Sequence, residues 1–413
     1  MKRQPVITGL GIVSPIGVGV DKFWASALAG RSGLGTPTLF DASKLPLDCR
    51  VVGEVQDFNP LDWMPARVAK MAGRFSQFAV AAAKMARVDS GCDLLQHPSD
   101  KIKVAIGTSL NGQTDVAQPN YEFFLEGGQI WPWAALEFPA HAATAHVAID
   151  TKAVGQTTTF ATACAAGLDA VGWAADQVGL EDGSVILAGA TETPLSEFIL
   201  RVFHAVGVLS KWPGPPAEAS RPFDLLRSGL VLAEGAAVVT VESEEYARAR
   251  GASAYARILG VASVSEGAHL RKVDETGDTV AHVIEKVLRV AGREPTDIDF
   301  ICAHGNSMQD YDAAETAGIK RVFKSHSWNV PVSSTKSMCG QALAASSAMQ
   351  VVVGCLALRN QMIPPTTNYE TPDPRCDLDY VPNIFRVARI RNVLIHAHSL
   401  GGAHVAMILG APD

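Results

Sequence analysis

At 413 residues, 47% hydrophobic and 19% charged, the chain has the make-up of a globular protein long enough to bury two cores. Its formal net charge of −7 excludes a general affinity for nucleic acid, and seven cysteines without paired spacing exclude a disulfide framework and fit a reducing, cytoplasmic setting. Apolar stretches such as residues 349–358 reach about half the length of a membrane span, so no membrane partner is expected.

In chain order, residues 6–13 predict a first strand and turn: glycine and then Pro15 interrupt the apolar run too early for a secretory leader. Residues 157–162 are rich in β-formers and lead through Cys164 into 165–175, crowded with Ala and Gly, which predicts a helix followed by a strand at 184–188. The Trp212-Pro213-Gly214-Pro215-Pro216 break reads as an ordered loop, and a helix ending near Gly251 sets a boundary between residues 1–250 and 251–413. The second part repeats the pattern with a strand at 330–335, a turn at 339–341, a helix over 342–358, a Pro-rich loop at 363–367 and a strand at 392–397. Small side chains on both helices predict burial with close approach, and the alternation predicts duplicated α/β halves with mixed sheets.

Cys164 lies in Phe160-Ala161-Thr162-Ala163-Cys164-Ala165-Ala166-Gly167, between strand and helix. There a rigid Cα and the positive helix end favour thiolate over thiol, and backbone N–H groups can hold an oxyanion. Most free cysteines are packing residues; three later segments single this one out. They are Ala303-His304-Gly305-Asn306, Ser334-Thr335-Lys336-Ser337-Met338-Cys339-Gly340-Gln341 and His398-Ser399-Leu400-Gly401-Gly402-Ala403-His404, each behind an apolar run. A lysine turned inward, as Lys336 is placed, must pair or shift its pKa. His396 and His398 share one strand face, yet with Cys302, His304 and His404 they lack the spacing of a zinc site, so no metal centre is expected. Cys339 reads as a small apolar filler.

With Cys164, His304 and Lys336 in this order, the chain resembles the β-ketoacyl-[acyl-carrier-protein] synthases, the ketosynthases of the thiolase superfamily, over nearly its full length. The opening Val6-Ile7-Thr8-Gly9-Leu10-Gly11-Ile12-Val13-Ser14-Pro15-Ile16-Gly17, Ser220-Arg221-Pro222-Phe223-Asp224, Ala233-Glu234-Gly235-Ala236 and the Asp312/Glu315 pair carry the resemblance further. It implies a thiolase-like five-layer αβαβα fold whose first half holds Cys164 and whose second half holds His304, Lys336 and Gln341. It also implies a homodimer, or a heterodimer with another ketosynthase-family subunit. The implied partner is an acyl-carrier protein that brings phosphopantetheine with it, so no tightly bound cofactor is expected. The implied chemistry is transfer of an acyl group from the carrier to Cys164, then decarboxylative Claisen condensation with a malonyl-carrier in a dissociated fatty-acid or polyketide pathway. Arg67 and Lys70, with Lys320, Arg321 and Lys324, are candidates for docking the acidic carrier. Trp131-Pro132-Trp133 is read as tunnel wall or dimer contact.

Against the family pattern, the second catalytic histidine is Gln341, whose amide donates a hydrogen bond but does not exchange a proton near neutrality. Leu230 and Ser228 stand for a Phe and an Asp, His398 and Leu400 for two phenylalanines of the glycine loop that includes Gly401, Asn306 and Met308 for pantetheine-contacting threonines, and Gln350 for an acidic residue. His398 is the expected polar substitute for the missing imidazole. Acyl transfer needs neither a base at 341 nor an aromatic gate, so it is expected to survive these changes better than elongation. The rival readings are a chain-length-factor-like partner subunit and an acyltransferase that forms no carbon–carbon bond. A Cys-His-Asn hydrolase using Asn306 ranks last, because Asn306 is two residues from His304.

Overall fold

The structure, a computed structural model, describes residues 3–94, 96–181 and 183–412. Its first half contains β1 (Pro5–Ser14), α1 (Arg74–Ser90), β2 (Ile102–Gly107), α2 (His141–Thr151), β3 (Thr157–Phe160), α3 (Ala166–Leu180), β4 (Val185–Glu192) and β5 (Gly235–Ser243). Its second contains β6 (Ala256–Ser265), α4 (Asp278–Ala291), β7 (Phe300–Cys302), α5 (Gln309–Phe323), β8 (Val332–Ser333), α6 (Leu343–Asn360), β9 (Asn392–His398) and β10 (Ala403–Gly410).

The strand order is β3-β2-β4-β5-β1 in the first array and β8-β7-β9-β10-β6 in the second. In each array the second strand of the order pairs in parallel with both neighbours, and the remaining pairs are antiparallel. Both are therefore mixed sheets of one topology. A short antiparallel contact, Val6↔Arg257 and Ile7↔Ala256, joins them edge to edge.

Five layers follow from what each sheet face must cover. Helices α1 and α2 pack on the outer face of the first array, α4 on that of the second with α5 beside it, and α3 and α6 lie together between the arrays. One large hydrophobic cluster runs through the inner layers, while two others fill the spaces under the outer helices. The small residues predicted for the central helices are what allow them to touch. A Cβ at Gly167 would lie 2.6 Å from Ala348 N and 2.9 Å from Ala344 O. Helix α6 is longer than the 349–358 run suggests. Its 18 residues would suffice by length and composition to cross a membrane, but 89% of that window is buried inside the protein, which accounts for a helix apolar on every side.

Candidate active site around Cys164

Cys164 sits in the short turn Ala163–Ala165 at the entry to α3. Ala163 adopts φ 49°, and Leu343 at the start of α6 adopts φ 41°. Left-handed backbone costs a non-glycine residue about 1–2 kcal/mol, so both central helices begin on a strained residue that redirects the chain toward the space between the sheets. Cys164 is 6% exposed and belongs to a separate apolar cluster with Leu195, Ile199, Val208, Leu230 and Leu343, onto which Met308 and Leu110 pack. Burial raises its thiol to about 11, opposed by Gln341 and by the charge of Lys336. The helix end is where the sequence puts it, but dehydration outweighs it: in the closed pocket the resting sulfur is a thiol, not the expected thiolate.

Gln341 is 1% exposed, and among the described residues neither Oε1 nor Nε2 of its amide has a hydrogen-bonding partner. An amide buried in that state is costly. Its closeness to Cys164, whose pKa it lowers, marks the sulfur and whatever it carries as its partner.

His304 is held by its backbone. Glu315 accepts from the His304 and Gly305 N–H groups at 2.7 and 2.8 Å, and Asp312 accepts from Asn306 N–H at 3.0 Å and Phe223 N–H at 2.8 Å. The Asp312/Glu315 pair is thus the clamp of the His304 loop. Gly305 has φ 32°, and a Cβ on it would stand 2.7 Å from the Phe223 ring, so only glycine lets the loop pass. Lys336 Nζ donates to His304 O at 2.6 Å and to Gln350 Oε1 at 3.2 Å. Burial lowers the Lys336 pKa, and burial followed by the Lys336 charge holds the His304 imidazole neutral, well below its ordinary pKa. Gln350 explains its own departure from the family pattern. Its Nε2 donates to Cys302 O, Ala303 O and His396 O at 2.8–3.1 Å, contacts that a carboxylate would turn into repulsions.

Asn306 comes close to His304, with Nδ2 3.1 Å from Nε2, but its Oδ1 accepts from Met308 N–H at 3.0 Å, so it does not orient the ring as the Asn of a Cys-His-Asn hydrolase would. Two expectations need correcting. His398 does not present its ring as a substitute for the absent histidine: its backbone N–H reaches His304 Nδ1 at 3.3 Å, while its ring stacks on Tyr311 and His404 at 4.5 and 3.8 Å. Lys320 and Arg321 are engaged with Asp377 and Asp278, while Lys324 and, at the short helix Ala66–Ala69, Arg67 and Lys70 are exposed. Leu400 is half-buried in the β9–β10 turn, and Gly401 is exposed there with its N–H on Leu270 O. Cys339 lies in the central core.

Two groups escaped the sequence reading. Glu192, at the end of β4, accepts from the Ser109 and Leu110 N–H groups at 2.6 and 2.9 Å; burial raises it to about 7, and its charge acts on Cys164. A carboxyl at the C-terminal end of a buried strand was the available signal. A cleft of about 350 Å³, lined by Val208, Lys211, Ser228, Arg271, Met308 and Gln309 among others, opens beside the site. Val208 and Met308 belong both to that cleft and to the cluster around Cys164, which places the cleft against that cluster.

The chain matches the model of the beta-ketoacyl synthase N-terminal domain over residues 3–247 and that of the C-terminal domain over 255–370. It is 38% identical to the tetracenomycin polyketide synthase ketoacyl synthase alpha subunit of Streptomyces glaucescens, covering 100% of this chain and 98% of that one. It is 37% identical to 3-oxoacyl-[acyl-carrier-protein] synthase 2 of Coxiella burnetii, covering 99% and 98%. Among solved structures, a type II polyketide ketosynthase in complex with its acyl-carrier protein superposes with TM-score 0.91 at 33% identity, and the ishigamide ketosynthase/chain length factor with 0.91 at 32%, each over 100% of both chains.

Proposed function

The chain belongs to the β-ketoacyl synthase family, and from that premise we propose that it is an acyl-accepting, chain-elongating ketosynthase of a dissociated polyketide or fatty-acid pathway. The observation that carries this reading is the buried Gln341 amide, which interacts with the Cys164 sulfur and lacks any other partner among the described residues. A site that had lost its chemistry would gain stability from an apolar residue there, whereas an oxyanion formed at the sulfur would satisfy Nε2.

The steps are these. Acyl phosphopantetheine enters from its carrier through the cleft, where Lys211 and Arg271 meet its phosphate; it is a substrate group rather than a resident cofactor. The Cys164 sulfur attacks the thioester carbonyl, the carbon–sulfur bond to pantetheine breaks, and the thiol proton passes to the departing thiolate. A malonyl thioester then loses carbon dioxide, and His304 and Gln341 donate to the thioester oxygen as it gains enolate charge. Its carbon attacks the acyl carbonyl and Cys164 leaves. Lys336 positions His304 through its carbonyl and keeps the imidazole neutral, a donor to the enolate rather than a cation.

The test is incubation of the purified protein with acyl-carrier protein, reading Cys164 by intact mass, then addition of malonyl-carrier protein with detection of carbon dioxide and a product two carbons longer. Gln341→Ala is expected to leave acylation largely intact and slow elongation on the order of 10²–10³-fold. Acylation without elongation would reduce the protein to an acyltransferase. Absence of acylation without a second subunit would make it the partner in a ketosynthase pair.

A further inference from the structure

Behind the His304 loop lies a buried chain of ionisable groups that the proposed reaction does not use. Glu315 Oε1 is 2.6 Å from His396 Nδ1, His396 Nε2 is 3.3 Å from His404 Nδ1, and His404 Nε2 is 2.9 Å from Glu266 Oε1. Each of the three contacts needs a proton between its heavy atoms. Two imidazoles in their neutral forms carry two N–H groups. If His396 donates to Glu315 and His404 donates to His396, then His404 Nε2 turns a lone pair toward the carboxylate of Glu266. In that arrangement the last contact sets two lone pairs face to face and favours a positive centre there, whether a proton or a metal ion.

A third imidazole marks where that centre belongs. His398 Nε2 is buried and, among the described residues, makes no close hydrogen bond; it faces the same Glu266 oxygen at 3.5 Å. His398 and His404 face each other across the β9–β10 pair, and Glu266 follows directly on β6, the strand beside β10. The second Glu266 oxygen accepts from Asp274 N–H at 3.1 Å, which fixes the carboxylate. The candidate ligand atoms of Glu266, His398 and His404 all lie within 4.8 Å of one another. We infer that Glu266, His398 and His404 form a binding site for a divalent first-row metal ion such as Zn²⁺, with His396 and Glu315 orienting His404 from behind. Two imidazole nitrogens and a carboxylate are a common donor set for such ions, and a histidine ligand whose other nitrogen donates toward a carboxylate is the usual supporting arrangement. The sequence carries no local sign of this site, because its carboxylate lies more than a hundred residues from the two histidines. This inference does not depend on the elongation reading.

The test uses the full chain stripped with a chelator and titrated with Co²⁺, following visible absorption and metal per chain by mass spectrometry, then Zn²⁺ displacement. The expected result is about one Co²⁺ per chain, lost in Glu266→Gln and in His398→Phe, kept in Cys164→Ser, and weakened about 10–100-fold in His396→Asn. Circular dichroism selects the folded variants, and the two ligand substitutions serve as alternates should either fail to fold. A flat titration of the wild type, or equal binding by a folded Glu266→Gln or His398→Phe variant, would overturn the site.

Discussion

Burial works against the thiolate that Cys164 must become. With the thiol raised to about 11, only a small fraction is ionised near neutrality, and Lys336 is the cation that limits the rise. Alkylation of Cys164 by iodoacetamide in the free protein is therefore expected to climb about tenfold per pH unit to near 11, where a free cysteine would level off around 8.5. Lys336→Met should slow it at the pH values where Lys336 is charged, because removing the cation raises the thiol pKa further. Peptide mass spectrometry reads the site, and a rate that saturates near pH 8 would show that the sulfur is a resting thiolate after all. The acyl thioester of Cys164 has no charge to dehydrate, so the same pocket that opposes the free thiolate accommodates the intermediate.

At the scale of elements, the close approach of α3 and α6 sets the distance between Cys164 and Gln341, since each residue stands at the entry to one of these helices. A methyl group on Gly167 would press on Ala348 N and Ser347 Oγ at 2.6 and 2.8 Å. Gly167→Ala is expected to cost about 1–3 kcal/mol, seen as a lower midpoint in calorimetry together with slower acylation. Gly35→Ala, with nothing near its Cβ, is the neutral control, and equal midpoints for the two variants would contradict this packing account. These helices were legible in the sequence because their spacing and small residues are local properties, and so were the turns carrying Cys164, His304 and Lys336. What was not legible depends on side chains meeting across the fold. His398 looked free until Tyr311 and His404 enclosed it, and Glu266 carried no local signal. The thiolate expectation failed for the same reason, because a helix end can be read from sequence but the depth of its burial cannot.

Among the described residues, the β3 edge of the sheet and an apolar stretch over residues 117–138 lie without cover. Strand β3 ends the first array with its four residues part-exposed, and an open edge rich in β-formers is normally paired or shielded. Along residues 117–138, Tyr121, Phe124, Leu125 and Leu136 are 59%, 51%, 66% and 56% exposed, more apolar surface than a solitary chain ordinarily shows. A second ketosynthase-family chain would cover such a surface, and a stable pair of this kind buries on the order of 2,000 Å² or more. The protein is expected to sediment as two chains, and Phe124→Asp combined with Leu125→Asp to release monomers of unchanged circular dichroism. The pair need not be of identical chains. If the isolated protein stays monomeric at tens of micromolar, which is about the range where such an interface should close, while co-expression with a second ketosynthase-family chain yields a 1:1 particle, the surface is built for a different subunit. The acylation of Cys164 should then be measured on that pair.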